Sequence, residues 1–206
     1  MMLRRLATAI RDNRGVAALE FAIIVPFMVL ILIGIYQVSQ AVRLNMKMSN
    51  VAVAIADIVA QQDSVTGGVS GILGNFCKGA QLMMAPFPTS ASANAFSLAI
   101  VSVTNYSNGQ VSNVKVDWEV DSACAVTAPA VGSSATTLVT SPVNLLVNSG
   151  PKGTTNVAGD TVILVRVTYN YLSLVSYLAP AAGAQSKMGF ARPRANSVIT
   201  CTAACT

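Results

Sequence analysis

The sequence predicts an α+β protein in which a long N-terminal helix crosses a membrane and then runs on into an antiparallel β-sheet domain. Three observations carry this. An almost unbroken apolar run begins at Val16. A helical apolar stripe continues beyond it, down to Ile58. The remaining two thirds of the chain then turn to β-branched segments separated by turn residues.

The apolar run follows a polar, basic leader, MMLRRLATAIRDNR, over residues 1–14. From Val16 to Ser39 the only charged side chain is Glu20. The centre of the run is FAIIVPFMVLILIGIY, from Phe21 to Tyr36. With its flanks Val16–Leu19 and Gln37–Val42 it exceeds the roughly 20 residues that a bilayer-spanning helix needs. Tyr36 suits the aromatic belt at the outer end. A cleaved secretory signal is the competing reading. Its apolar core is about 7–15 residues and ends at a small-x-small site. The run here is longer, and Tyr36-Gln37-Val38-Ser39-Gln40 is a poor cleavage site, so the helix is expected to stay on the protein.

The stripe is Leu44, Met48, Val51, Ile55 and Ile58, a 4-3-4-3 spacing that lines one helix face. Arg43, Lys47, Asn50 and Asp57 fall on other faces. Gly67-Gly68 is the first strong breaker, so one helix is expected from about Val16 to Gln62, roughly 70 Å long. The stripe is expected to lie on the core of its own domain. Packing against identical neighbours is the other use of such a face.

Beyond Gly68 three segments read as strands. Residues 96–104, FSLAIVSVT, are rich in β-formers. Residues 114–121, VKVDWEVD, alternate, with Val114, Val116, Trp118 and Val120 on one face and Lys115, Asp117, Glu119 and Asp121 on a wet face. That acidic ladder is read as solvated, not as a cation site. Residues 161–171 put Thr161, Ile163, Val165, Val167, Tyr169 and Tyr171 on one side. Ser107-Asn108-Gly109 marks a hairpin between the first two strands. Residues 129–160 are Ser/Thr/Gly/Pro-rich and read as loop, with one short strand near Val143–Val147.

Charge sets the orientation. The net +5 is concentrated in the leader, where Arg4, Arg5, Arg11 and Arg14 face Asp12 alone. The rest of the chain shows no basic cluster, which excludes a nucleic-acid partner. Only Arg43 and Lys47 follow the apolar run closely. The positive-inside rule therefore puts the N-terminus in the cytoplasm and the domain outside. Cys77, Cys124, Cys201 and Cys205 all lie in the exported part, where disulfides persist. Three pairings are open. Cys77–Cys124 is the first choice, with Cys201 and Cys205 pairing with each other or one of them joining the sheet. A bridge of that kind contributes about 4 kcal/mol in the chain-entropy model. The chain has no histidine, which removes the commonest general base and metal ligand. No catalytic residues, metal site or cofactor are expected.

The informative stretch is Arg14-Gly15-Val16-Ala17-Ala18-Leu19-Glu20-Phe21 and its continuation to Pro26. A basic leader ends in a glycine at the polar-to-apolar boundary. A carboxylate follows five residues later and an aromatic residue after that. The arrangement resembles the processing site of type IV-like prepilins, and in particular the TadE-like pseudopilins of the Flp (Tad) pilus, over residues 11–57. The resemblance implies a pilin-like fold and cleavage between Gly15 and Val16 by a prepilin peptidase. It also implies assembly through Glu20, Phe21 and Pro26, with other pilins, pilus-assembly platform proteins and membrane lipid as partners. The expected organisation is a leader over 1–15, a helix over 16–66 and an extracytoplasmic β-rich domain over 67–206, anchored in the inner membrane. The expected function is that of a minor pilin or pseudopilin that primes, caps or enters a Tad-type filament. The alternative is an unprocessed, membrane-anchored periplasmic binding or adhesion module.

Each residue also has a physical reading of its own. Gly15 lets a protease approach the backbone. Glu20 costs about 2.5–3.5 kcal/mol if carried to the bilayer centre, and less near the interface, so it calls for a partner. Pro26 removes one helix hydrogen bond and loosens or bends the helix there.

Overall fold

The computed structural model describes residues 14–68, 70–89, 96–108, 111–120, 155–171, 183–194 and 198–203. Helix α1 spans Arg14–Val59, 46 residues, or about 69 Å at 1.5 Å per residue. It is followed by strand β1 (Ser64–Thr66), helix α2 (Ile72–Met83) and strands β2 (Phe96–Asn108), β3 (Val111–Val120), β4 (Thr155–Tyr171), β5 (Gly183–Ala191) and β6 (Thr200–Ala203). Four strands form an antiparallel sheet in the order β3-β2-β4-β5. β1 and β6 pair in parallel as a separate ribbon.

The upper part of α1 lies along the sheet. Leu44, Met48, Val51 and Ile55 are buried as the stripe predicts, and they meet Phe96, Leu98, Ile100, Ile163, Val165, Val167 and Tyr169 in one core. The last member of the stripe is corrected. Ile58 is 39% exposed, while Val59 is wholly buried. At 3.6 residues per turn, not 3.5, the buried line moves on by one position after two 4-3 repeats. Ala52 and Ala56 are buried beside it and bring the helix close to β5. A Cβ built on Gly189 would stand 2.4 Å from the Ala52 carbonyl carbon, so only glycine fits between the two backbones.

α1 ends three residues earlier than expected. Gln62 is followed by Asp63 and by β1, whose β-branched Val65 and Thr66 pair with Cys201 and Ala203. Gly68 then turns the chain at φ 84°, a conformation that glycine adopts freely. The Thr66 hydroxyl accepts from the Ile72 N–H at 3.0 Å and so caps α2, whose N-cap residue Gly71 has no side chain to do it. At the other end of α2, Lys47 of α1 donates to the carbonyls of Met83 and Ala85, where a cation also suits the helix dipole.

The three expected strands are present and longer than expected. β4 starts at Thr155, so residues 155–160, read as loop, are strand. Thr155 pairs with Asn108 as the continuation of the β2–β4 ladder. The short strand expected near Val143–Val147 lies outside the described residues. β2 and β3 form the expected hairpin, with Asn108 opposite Val111.

β3 departs from the expected alternation. Trp118 and Val120 face the α1 core, but Val116 and Val114 belong to a second cluster with Ala99, Val101, Val103, Val162 and Leu164. The register slips between Ser102 and Val103, which pair with Trp118 and Val116. Asp117 is thus the extra residue of a β-bulge, and every side chain before it changes face. Glu119, placed on a wet face from sequence, is buried.

Trp118 is 1% exposed, and its Nε1 donates to the Ile199 carbonyl at 2.7 Å, which fixes the segment before β6 against the sheet. Trp118→Ala is expected to cost about 3–5 kcal/mol. Trp118→Phe keeps most of the ring but strands the Ile199 carbonyl, for about 1–3 kcal/mol. Chemical denaturation of the detergent-solubilised full chain, followed by circular dichroism, measures both. Equal losses in the two variants would mean that the hydrogen bond contributes nothing.

Candidate functional site

The processing and assembly residues singled out by sequence, Gly15, Val16, Glu20, Phe21 and Pro26, all lie on the free part of α1. From Gly15 to Tyr36 no side chain is buried, and Gln37 is the first that is. This bare arm of 22 residues, counted from those two positions, is about 33 Å long, which matches a hydrocarbon core of about 30 Å. α1 alone among the described helices is long and apolar enough to cross a membrane. Its side chains include Phe21, 68% exposed, with Phe27, Leu30, Ile31 and Leu32 similarly bare.

Gly15 stands at the helix start, with nothing within 4 Å of where a Cβ would be. Val16 is exposed beside it, and Glu20 lies exposed on the second turn. The helix continues through Pro26. Lacking an N–H, Pro26 leaves the Ala22 carbonyl without its helical donor. Gly15, Val16, Glu20, Phe21 and Pro26 are thus gathered on one projecting rod, clear of the domain. The domain begins where the arm ends. Gln37 accepts from the Tyr171 hydroxyl at 3.3 Å, and Tyr171 closes β4 at the lower end of the sheet.

Residues 15–57 match the family of TadE-like proteins. This stretch is a TadE-like segment. It covers both the bare arm and the buried seam of α1, and stops two residues before the helix does. No match to a curated protein or to a solved structure accompanies it. The TadE-like segment therefore carries the comparison by itself, and the sheet domain is described by its own physics.

Two further groups in the domain bear on chemistry. Cys77 and Cys201 are each disulfide-bonded, whereas Cys124 and Cys205 lie outside the described residues. The other group surrounds the bulge and was not foreseen. The Asp117 carboxylate accepts from Ser102 at 3.1 Å, Thr104 at 2.5 Å and Tyr106 at 2.5 Å. Thr104 also meets Thr161 at 2.8 Å. Ser102 stands level with Ile163–Ala191, the last β4–β5 pair, and the other residues occupy the sheet beyond it, where only β3, β2 and β4 continue. A single carboxylate ringed by hydroxyls fixes the bulge. Among the described residues no three His, Cys, Asp or Glu side chains gather to hold a metal.

Burial pushes the Asp117 pKa up, and the three hydroxyls pull it back only in part. Burial, then the Asp117 carboxylate, push Tyr106 above the ordinary phenol range. The folded state thus holds the Asp117 proton more tightly than the unfolded chain does. The stability from this group is present at low pH and is lost as pH rises from 3.8 through the raised folded value. Asp117→Asn, which is neutral throughout, is expected to flatten the melting temperature against pH in that window. An unchanged slope would show that Asp117 ionises normally.

Proposed function

We propose that the chain is a minor pilin or pseudopilin of a Tad-type pilus, inserted with its N-terminus in the cytoplasm and its domain outside the inner membrane. A prepilin peptidase cuts between Gly15 and Val16. The trimmed helix then joins other pilins and the assembly platform, and it primes, caps or enters the filament. The role is structural, without catalysis of the chain's own. One observation carries this reading. The TadE-like segment is a single continuous helix that begins at the Gly15 boundary, runs bare for one bilayer thickness and ends buried in its own domain.

The charge pattern supports the orientation, and the absence of histidine in the chain supports a role other than acid–base catalysis. Separation of sheared filaments from membranes, followed by detection of the chain in each, tests the proposal. The expected result is a mature chain starting at Val16 in cells that assemble the pilus, with pilus assembly lost when the chain is deleted. A full-length chain confined to the membrane, with pili intact in its absence, would favour the plain membrane-anchored module.

A further inference from the structure

Along the long axis of the molecule the far end carries both signs, with Lys115, Arg192 and Arg194 among its carboxylates and Arg192 3.6 Å from Asp160, whereas the base of the domain carries cations alone among the described residues. Distances above Gln37 follow from about 1.5 Å per helical residue and about 3.3 Å per strand residue. Arg43 stands about 9 Å above Gln37, exposed on α1. Lys187 stands about 13 Å up on the edge strand β5, since Gly183 is level with Tyr171. Arg166, paired with Met188 on the sheet face turned away from α1, stands about 16 Å up. Lys47 is about 15 Å up on the α2 side. Arg43 and Lys47, four residues apart, share one flank of α1, while Lys187 lies on the edge strand and Arg166 on the far face of the sheet, so cations line the base of the domain on its helix side and on its sheet side.

The carboxylates lie higher. Glu119, buried on β3 at the level of Leu164, is about 23 Å up. Asp117, level with Val162 and Ile163, is about 28 Å up, Asp57 is about 30 Å up, and Asp160 and Asp63 lie beyond the far end of α1. No carboxylate among the described residues shares the level of the basic collar.

We infer that the collar of Arg43, Lys187, Lys47 and Arg166 is a docking surface for anionic lipid headgroups. The inference rests on the reading of the bare arm as a membrane span. With the arm filling the hydrocarbon, Gln37 lies at the start of a headgroup layer about 5–7 Å thick. The Arg43 side chain reaches that layer directly. Lys187, Lys47 and Arg166 lie within about one Debye length, roughly 8–10 Å, of its outer edge. A phosphate headgroup at this height meets cations on the helix side and on the sheet side, and among the described residues no carboxylate. A neutral, zwitterionic headgroup gains nothing comparable. The collar thus holds the domain upright on a negatively charged leaflet, and a subunit leaving the membrane has to give up those contacts.

The test uses the full chain in vesicles of phosphatidylcholine with one third phosphatidylglycerol, with a trace of either lipid spin-labelled. Lipid held against a membrane helix gives a motionally restricted signal. The wild type is expected to restrict the glycerol lipid in preference to the choline lipid, on the order of fivefold for each cation in full contact and less after screening. That preference should fall in Arg43→Gln/Arg166→Gln/Lys187→Gln and in high salt, with the melting temperature unchanged. The leader arginines are common to both chains, so the difference between the chains reports the collar alone. Equal preference in the wild type and the triple variant would overturn the inference. So would a variant whose lipid preference stands while self-association in neutral vesicles is lost, since the collar would then bind carboxylates of a second copy. Absence of any restricted lipid would instead reject the membrane span itself.

Discussion

Gly189→Val should pry α1 from the sheet. At Gly189 the edge strand passes the helix so closely that even a Cβ would stand 2.4 Å from the Ala52 carbonyl carbon, 2.5 Å from its oxygen and 2.6 Å from the Val53 nitrogen. All three are backbone atoms of a helix already held by Leu44, Met48, Val51 and Ile55, so no flexible side chain can yield. Either α1 lifts or β5 unzips from β4. Overpacking usually costs about 1–3 kcal/mol. With backbone on both sides and two further methyl groups, the expected loss is at the top of that range or above it. That is a large share of the roughly 5–15 kcal/mol that holds a domain together. Gly183→Ala on the same strand is the control, because nothing lies within 4 Å of its added carbon and its effect should be small. Limited proteolysis of the membrane-inserted full chain separates the outcomes. The Gly189 variant should be cut within β5 or the upper half of α1 at protease levels the control survives. Equal resistance would mean that the helix and sheet accommodate the side chain, and the close approach would lose its importance.

The sequence made this contact only partly legible. The helix side announces itself, because a run of apolar residues at helical spacing needs a core to lie on. The strand side does not. β5, GAQSKMGFA, is an edge strand of small and polar residues whose only buried members are Gly189 and Ala191, so no hydrophobic alternation marks it. α2 is hidden for a similar reason. Its buried residues Leu73, Cys77 and Ala80 have helical spacing, but Gly74 and Gly79 lie between them and weaken any helical signal. β1 and β6 exist only because each pairs with the other across most of the chain. The bulge at Asp117 is the more instructive case. Val114, Val116, Trp118 and Val120 alternate as they would in a regular strand, and nothing local reveals that one residue is skipped. The skip is set by Ser102, Thr104 and Tyr106 on the neighbouring strand, whose hydroxyls claim the Asp117 carboxylate.

The arm was legible for the opposite reason. Its properties are one-dimensional: a charge boundary, a glycine, a carboxylate and a length. None of them depends on a distant partner. The basic collar shares its chemistry but not its legibility, since Arg43, Arg166 and Lys187 come together only through the packing of α1 on the sheet and the β4–β5 register.

Gly15 and Glu20 should separate processing from assembly, if the proposed function holds. Gly15 is exposed at the helix start with open space around it, so Gly15→Ile fits the folded chain without strain. Any failure it causes therefore arises in the peptidase, where a β-branched side chain crowds the approach to the scissile bond. The expected result is complete retention of the leader. Its four arginines against one aspartate would then hold the chain to the cytoplasmic face, because drawing them through the bilayer buries charge at several kcal/mol each. Glu20→Ala should leave insertion as good or better, since it removes the one carboxylate within the arm. Cleavage should persist. What should fail is association, because the ammonium newly exposed on Val16 would lose the carboxylate of a neighbouring subunit in a setting of low dielectric, where stranding a charge costs about 3–5 kcal/mol. N-terminal sequencing of membrane-purified chains reads the first step, and recovery of partner pilins on a tagged chain reads the second. A wild-type chain that keeps Met1, or begins anywhere but Val16, rejects the cleavage. Full recovery of partners with Glu20→Ala would leave Glu20 as an interfacial carboxylate at headgroup level, and the ammonium pairing would have to be abandoned.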